Sequence, residues 1–207
     1  MKRNLIAIIS IVVVLVIGAI AYYFINQSRT YDTTFKLDPA IKSVAIRNTK
    51  TSDEVSATNS QVVKLRNGSY TYRMIGDNIS NITRSFTIDS ADSIITVSAV
   101  YTSEYLDKLA ADIQPTIEAK LEKAYGTAMK HYVVNDIVVF DDAKWGGVVL
   151  APSDMDPSNP SGLYRLLIEY KDETWQLNGA PHIALTKYTN QNVSVDTLSK
   201  VNSLTAR

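Results

Sequence analysis

The sequence predicts an N-terminal transmembrane helix, then an all-β sandwich, then an α+β domain in which a long helix packs on a curved antiparallel sheet. An uncharged apolar run near the N-terminus has the length of a bilayer span. Short segments rich in Val, Ile, Thr and Tyr follow it, as in β-structure. Apolar residues then recur every three or four positions, as in an amphipathic helix, before further strand-like segments. We divide the chain into a transmembrane anchor (1–25), a stalk (26–34), a small β-sandwich (35–101) and an α+β domain (102–207).

Composition excludes several classes of protein. The 207 residues carry 21 Lys and Arg against 21 Asp and Glu, so no charge excess favours nucleic acid as a partner. The chain has no cysteine. That excludes disulfides, thiol catalysis and thiolate metal sites, and it suits an exported bacterial protein that never relied on disulfides.

The membrane anchor is predicted from the run Leu5–Ile25, which contains no charged residue. At about 1.5 Å per helical residue, the run is as long as the roughly 30 Å hydrocarbon core is thick. Lys2 and Arg3 precede it, so the positive-inside rule places the N-terminus in the cytoplasm and the domains outside the membrane. We expect a single-pass protein of the cell membrane. Cleavage after Ala21, as in a signal peptide, is the alternative.

The predicted β-sandwich has a half-buried strand at its centre. Tyr70 and Tyr72 alternate there with polar residues, after a tight-turn signal at Asn67-Gly68. The two tyrosines either pack in the core or form a contact stripe for a partner. The predicted strands are Ser43–Arg47, Gln61–Leu65, Ser69–Ile75, Thr83–Ile88 and Ile94–Val100.

This stretch resembles PEGA-type surface β-domains, with Leu65, Gly68 and Tyr70 in the positions of a Leu-x-x-Gly-x-Tyr turn. The resemblance covers about a third of the chain, although the sequence has no Pro-Glu-Gly-Ala signature. It implies a surface or wall-facing accessory module without an active site. The layout as a whole resembles single-pass surface proteins of bacteria.

One amphipathic helix is predicted from Thr102 to Tyr125. Ser103 is its expected cap, and Gly126 its expected end. Pro115 lies in the middle, so we expect a kink or break near Gln114. The apolar stripe comprises Leu106, Leu109, Ile113, Ile117 and Leu121.

Two β-hairpins are predicted after the helix, because the segments 140–145 and 170–175 share an aromatic-Asp-Trp pattern and each precedes an Ala-Pro step. Trp145 and Trp175 open the return strands. Each either packs against the helix or is exposed as a contact residue for sugars or partner aromatics. A final short helix, Val195–Leu204, is capped by Ser194. One helix followed by a strand meander resembles cystatin-like and nuclear-transport-factor-like folds, by element order.

No catalytic motif is present in the sequence. His131 and His182 have no ligand partner at metal-site spacing. Asp154 and Asp156 alternate like calcium ligands, but Asn159 and Arg165 break the calcium-loop pattern. We therefore expect no enzyme activity, no cofactor and no metal.

The expected function is a membrane-anchored extracytoplasmic module for envelope binding, adhesion or assembly, with a protein or cell-wall glycan as partner. One alternative is a ligand-binding or hydrolytic pocket between helix and sheet in the C-terminal domain. A second is an accessory subunit of a larger membrane complex, with Gly18 and either Ala19 or Ala21 in a helix contact.

Overall fold

The computed structural model describes residues 14–22, 29–89, 93–156 and 161–206. The chain forms two compact units, Met1–Ala99 and Val100–Arg207. They are called the first and the second unit below, and each is described by itself.

The predicted anchor is described only in part. Residues 14–22 are helical, and this segment is labelled α1. Among the residues that the structure describes, no helix is both long enough and apolar enough to cross a bilayer. The rest of Leu5–Ile25 lies outside the described residues, so the transmembrane span stays a prediction.

The described strands of the first unit form two β-sheets. One has three strands in the order β4-β1-β7, with β1 and β7 parallel, and the other has four antiparallel strands in the order β3-β2-β5-β6. The ring of Phe35 in β1 contacts the rings of Tyr72 and Phe86 at centroid distances of 6.3 and 5.8 Å. The two sheets therefore share an aromatic core. The strands are β1 (Thr30–Leu37), β2 (Ser43–Asn48), β3 (Glu54–Ala57), β4 (Val62–Arg66), β5 (Gly68–Ile75), β6 (Thr83–Ile88) and β7 (Ser93–Val97).

One local prediction in the first unit needs correction. The predicted stalk, 26–34, contains the start of β1, which pairs with β4 and β7. Thr33 is buried in this strand although it is polar, so the sequence around it does not show the apolar pattern of a strand. The Asn67-Gly68 step joins β4 and β5, which belong to different sheets. It is the point where the chain passes from one sheet to the other.

The second unit has a long helix, a four-stranded antiparallel sheet in the order β11-β10-β9-β8, and a short C-terminal helix. The two predicted hairpins are confirmed as β8–β9 and β10–β11. The elements are α2 (Ser103–Tyr125), a 3-10 turn (Ala128–Lys130), β8 (Tyr132–Val139), β9 (Trp145–Pro152), β10 (Tyr164–Lys171), β11 (Thr174–His182) and α3 (Val195–Asn202).

The long helix differs from its prediction in two details. It runs through Pro115 without a break. Pro115 and Ala111, four residues earlier, are both exposed, so water can reach the carbonyl that loses its helical partner. The cap is Thr102 and not Ser103, since the Thr102 hydroxyl accepts from the Tyr105 amide at 3.4 Å.

The sheet of the second unit is covered on both faces. One face packs on α2 through a core that includes Ile117, Leu121 and Trp175. The opposite face packs on α3, through Leu198 and Val201. The predicted α3 cap is confirmed, because the Ser194 hydroxyl accepts from the Thr197 amide at 3.0 Å.

A bulge in β8 changes which residues face α2. Val134 pairs with Leu150 and Asp136 with Val149, so Asn135 is an extra residue in the ladder. Before the bulge Tyr132 and Val134 contact the α2 core, and after it the odd-numbered residues Ile137 and Val139 do. An extra residue reverses the alternation of a strand.

Candidate functional site

The second unit contains a pocket of about 330 Å³ at one end of the sheet. It lies between the last residue of α2, the 3-10 turn, and the adjoining ends of the strands. Of the lining residues that the structure describes, none is charged and three are tyrosines. The lining residues are Tyr125, Ala128, Met129, Tyr132, Leu150, Tyr164, Ala180 and Pro181.

An irregularity in β11 forms one wall of the pocket. Arg165 pairs with His182 and Leu167 with Asn178, so three residues, 179–181, lie opposite Leu166 alone. Gly179 has a φ of +85°, which favours glycine, and Pro181 has no amide hydrogen to give to the ladder. β11 therefore leaves the regular ladder here, and Ala180 and Pro181 line the pocket.

The tyrosines give the pocket both a rigid wall and polar groups. The rings of Tyr132 and Tyr164 meet edge to face, with centroids 5.3 Å apart. The Tyr125 hydroxyl donates to the Gly179 carbonyl at 3.3 Å, which ties the end of α2 to β11. Among the described residues, the hydroxyls of Tyr132 and Tyr164 have no hydrogen-bond partner. They are therefore available to a ligand, as a few polar groups in an apolar pocket usually are.

Trp145 and Trp175, the two candidate contact tryptophans, lie on opposite faces of the sheet, and neither lines the pocket. Trp175 is 6% exposed and belongs to the core beneath α2, where its ring lies 5.6 Å from that of Tyr170. Trp145 is half-buried against the α3 cluster, beside Phe140 and Leu167. Burial thus favours packing for Trp175 and leaves Trp145 with some surface for a contact.

The two predicted contact tyrosines of the first unit are buried. Tyr70 and Tyr72 are 5% and 6% exposed. The Tyr70 ring stacks on Phe86 at 5.5 Å, and its hydroxyl donates to the Arg66 carbonyl at 3.0 Å. Of the two alternatives in the sequence, core packing is the one that this geometry favours.

The histidines and the acidic loop do not gather into a site in the described residues. His131 follows the 3-10 turn and His182 ends β11, and neither lines the pocket. Within the described ranges, no three His, Asp or Glu side chains are close enough to hold a metal ion. Part of the loop after Asp156, residues 157–160, lies outside those ranges.

Sequence reasoning missed the pocket tyrosines, although it singled out the Ala180-Pro181 step. Tyr125 ends α2, whereas Tyr132 and Tyr164 each begin a strand. Aromatic residues at the ends of successive elements were the available signal. It becomes meaningful only when the topology brings those ends together.

Comparison with known proteins adds no family to this description. The order of elements that resembles cystatin-like and nuclear-transport-factor-like folds is present, since α2 packs on an antiparallel sheet through β8 and β11. Family models, curated proteins and solved structures yield no match to this chain.

Proposed function

We propose that this chain is a membrane-anchored, extracytoplasmic and non-catalytic binding module. Its ligand site in this proposal is the tyrosine-lined pocket of the second unit. The ligand is a small, uncharged and mainly apolar molecule with a ring. The pocket itself is the observation that carries the proposal.

The anchored topology is supported by the sequence. Leu5–Ile25 is uncharged over the length of a bilayer span, and Lys2 and Arg3 precede it. A pocket outside the membrane would meet ligands of the envelope or the surroundings. The absence of any nucleophile–base motif in the sequence supports binding without turnover.

The ligand class follows from the lining. A volume of about 330 Å³ accepts one or two rings, and it lies near the lower end of ligand pockets, which begin at about 300 Å³. Ring faces and a methionine attract flat apolar groups, whereas the described lining carries no charge and so disfavours ions. Two tyrosine hydroxyls can orient a ligand that carries a single hydroxyl or amide.

Methionine methyl NMR of the full chain tests this proposal with indole as the probe. Of the four methionines, Met129 lines the pocket and Met74 lies in the core of the first unit. Indole should shift the Met129 methyl signal saturably and leave that of Met74 unchanged.

A pocket-filling variant and a matched control complete the test. Ala180→Phe places a ring at the pocket and should abolish the Met129 shift, whereas Ala111→Phe, on the exposed side of α2, should keep it. Equal shifts in both variants, or a Met129 signal that never moves, would count against the pocket as the ligand site.

A further inference from the structure

The outer face of the four-stranded sheet in the first unit contains a second, chemically different concavity of about 430 Å³. We call it the arginine cleft. Its lining comes from all four strands and from the segment before β6, and Tyr72, whose ring is buried in the core on the opposite face, contributes only backbone. The lining residues are Ala45, Arg47, Glu54, Thr71, Tyr72, Arg73, Asn81 and Thr83.

The sheet register explains why a concavity forms here. Ala45 pairs with Arg73, and Arg47 pairs with Thr71, so small and long side chains alternate diagonally across β2 and β5. Ala45 is only 7% exposed although it lies on the outer face. Ala45 and Thr71 thus form the bottom of the concavity, and the side chains of Arg47 and Arg73 flank it.

Within the described part of the chain, neither cleft arginine has a charged partner. Arg47 and Arg73 are exposed and make no ion pair or side-chain hydrogen bond with any residue that the structure describes. Glu54 lies opposite Arg47 in the register, yet the two side chains do not form an ion pair. Two arginines and one glutamate give the cleft a net charge of about +1, which suits a monoanion better than a dianion.

The position on a sheet face restricts the kind of ligand. β2 and β5 each pair with a strand on both sides, so their backbone groups are used in the ladders. A peptide cannot be added as a strand here, and recognition must come from side chains. Thr71, Thr83 and Asn81 supply groups that both donate and accept, which matches hydroxyl groups on a ligand.

We propose that the arginine cleft binds a small monocarboxylate that carries several hydroxyl groups, which is the chemistry of a sugar acid. The guanidinium forks bind the carboxylate, and the threonine and asparagine side chains bind the hydroxyls. This site is separate from the pocket of the second unit and does not depend on it.

Ligand-observed NMR titration of the full chain with D-glucuronate tests this proposal. Glucuronate should bind saturably, whereas glucose, glucose 6-phosphate and the acidic dipeptide Ala-Glu should each bind about tenfold or more weakly. Arg47→Gln and Arg73→Gln should each weaken glucuronate binding about tenfold or more. Arg66→Gln, an exposed arginine on β4 outside the cleft, should leave it unchanged.

Glu54→Gln adds a charge test, because removing the carboxylate should improve binding of glucose 6-phosphate. Arg47, Glu54 and Arg73 are exposed, so the three variants should have the same melting temperature as the original chain. Thermal melts of the variants check this. Undiminished glucuronate binding in both arginine variants would overturn the proposal. Equal binding of glucose or of the dipeptide would overturn the sugar-acid assignment.

Discussion

Replacing Trp175 with alanine should lower the free energy of unfolding by about 3–5 kcal/mol, a large part of the about 5–15 kcal/mol that stabilises a typical domain. The indole is 6% exposed and packs with Ile117 and Leu121 of α2. The Trp175 carbonyl also accepts a hydrogen bond from Lys120 of α2 at 2.6 Å. Because the ring itself is buried in this core, its loss leaves a cavity between the sheet and the helix.

Trp145→Ala is the matched control for this prediction. The same residue type is removed from the other face of the sheet, where Trp145 is only half-buried against the α3 cluster. Trp145→Ala should lower the free energy of unfolding clearly less, because less buried ring surface is removed from the core. Chemical unfolding of both variants measures the difference. A Trp175→Ala variant that unfolds like the original chain would make Trp175 a contact residue.

Gly146→Ala is the second large effect, with an expected loss of about 1–3 kcal/mol. Alanine normally stabilises a strand relative to glycine, through a smaller loss of backbone entropy. Here a Cβ atom at position 146 would lie 2.7 Å from the Val138 carbonyl oxygen and 3.0 Å from Ile168 Cγ1. A backbone oxygen in a paired strand cannot move away without disturbing the β8–β9 ladder.

The neighbouring Gly147 provides a comparison within the same strand. A Cβ there would lie 2.5 Å from Leu204 Cδ1, near α3. The end of a leucine side chain can rotate away, so Gly147→Ala should destabilise the unit less than Gly146→Ala. Unfolding free energies of the two variants decide this. The reverse order would show that the α3 side is the more rigid one.

The parts of the fold that were predictable from sequence are those with a local signal. The apolar stripe that includes Ile113 and Ile117 predicts α2, and the polar turns predict both hairpins. At the second turn, Asp172 and Glu173 both have positive φ, as a two-residue hairpin turn requires. The Ser194 cap likewise depends only on neighbouring residues.

The parts that were missed depend on residues far apart in the chain. β1 pairs in parallel with β7, with Thr33 opposite Ser93, and nothing near Thr33 indicates that partner. The bulge at Asn135 reverses the alternation in β8, so no single face can be assigned from sequence there. The pocket depends on the meeting of three element ends. The arginine cleft depends on the register between β2 and β5.

The central claim, a binding module held outside the membrane by an uncleaved anchor, is tested most directly by protease added to intact cells that express the full chain. Spheroplasts replace cells where an outer membrane is present. Residues beyond the anchor should be digested without lysis, while a fragment with the original N-terminus stays in the membrane. Protection of the whole chain until lysis would contradict the topology, and a mature N-terminus at Tyr22 would contradict the anchor.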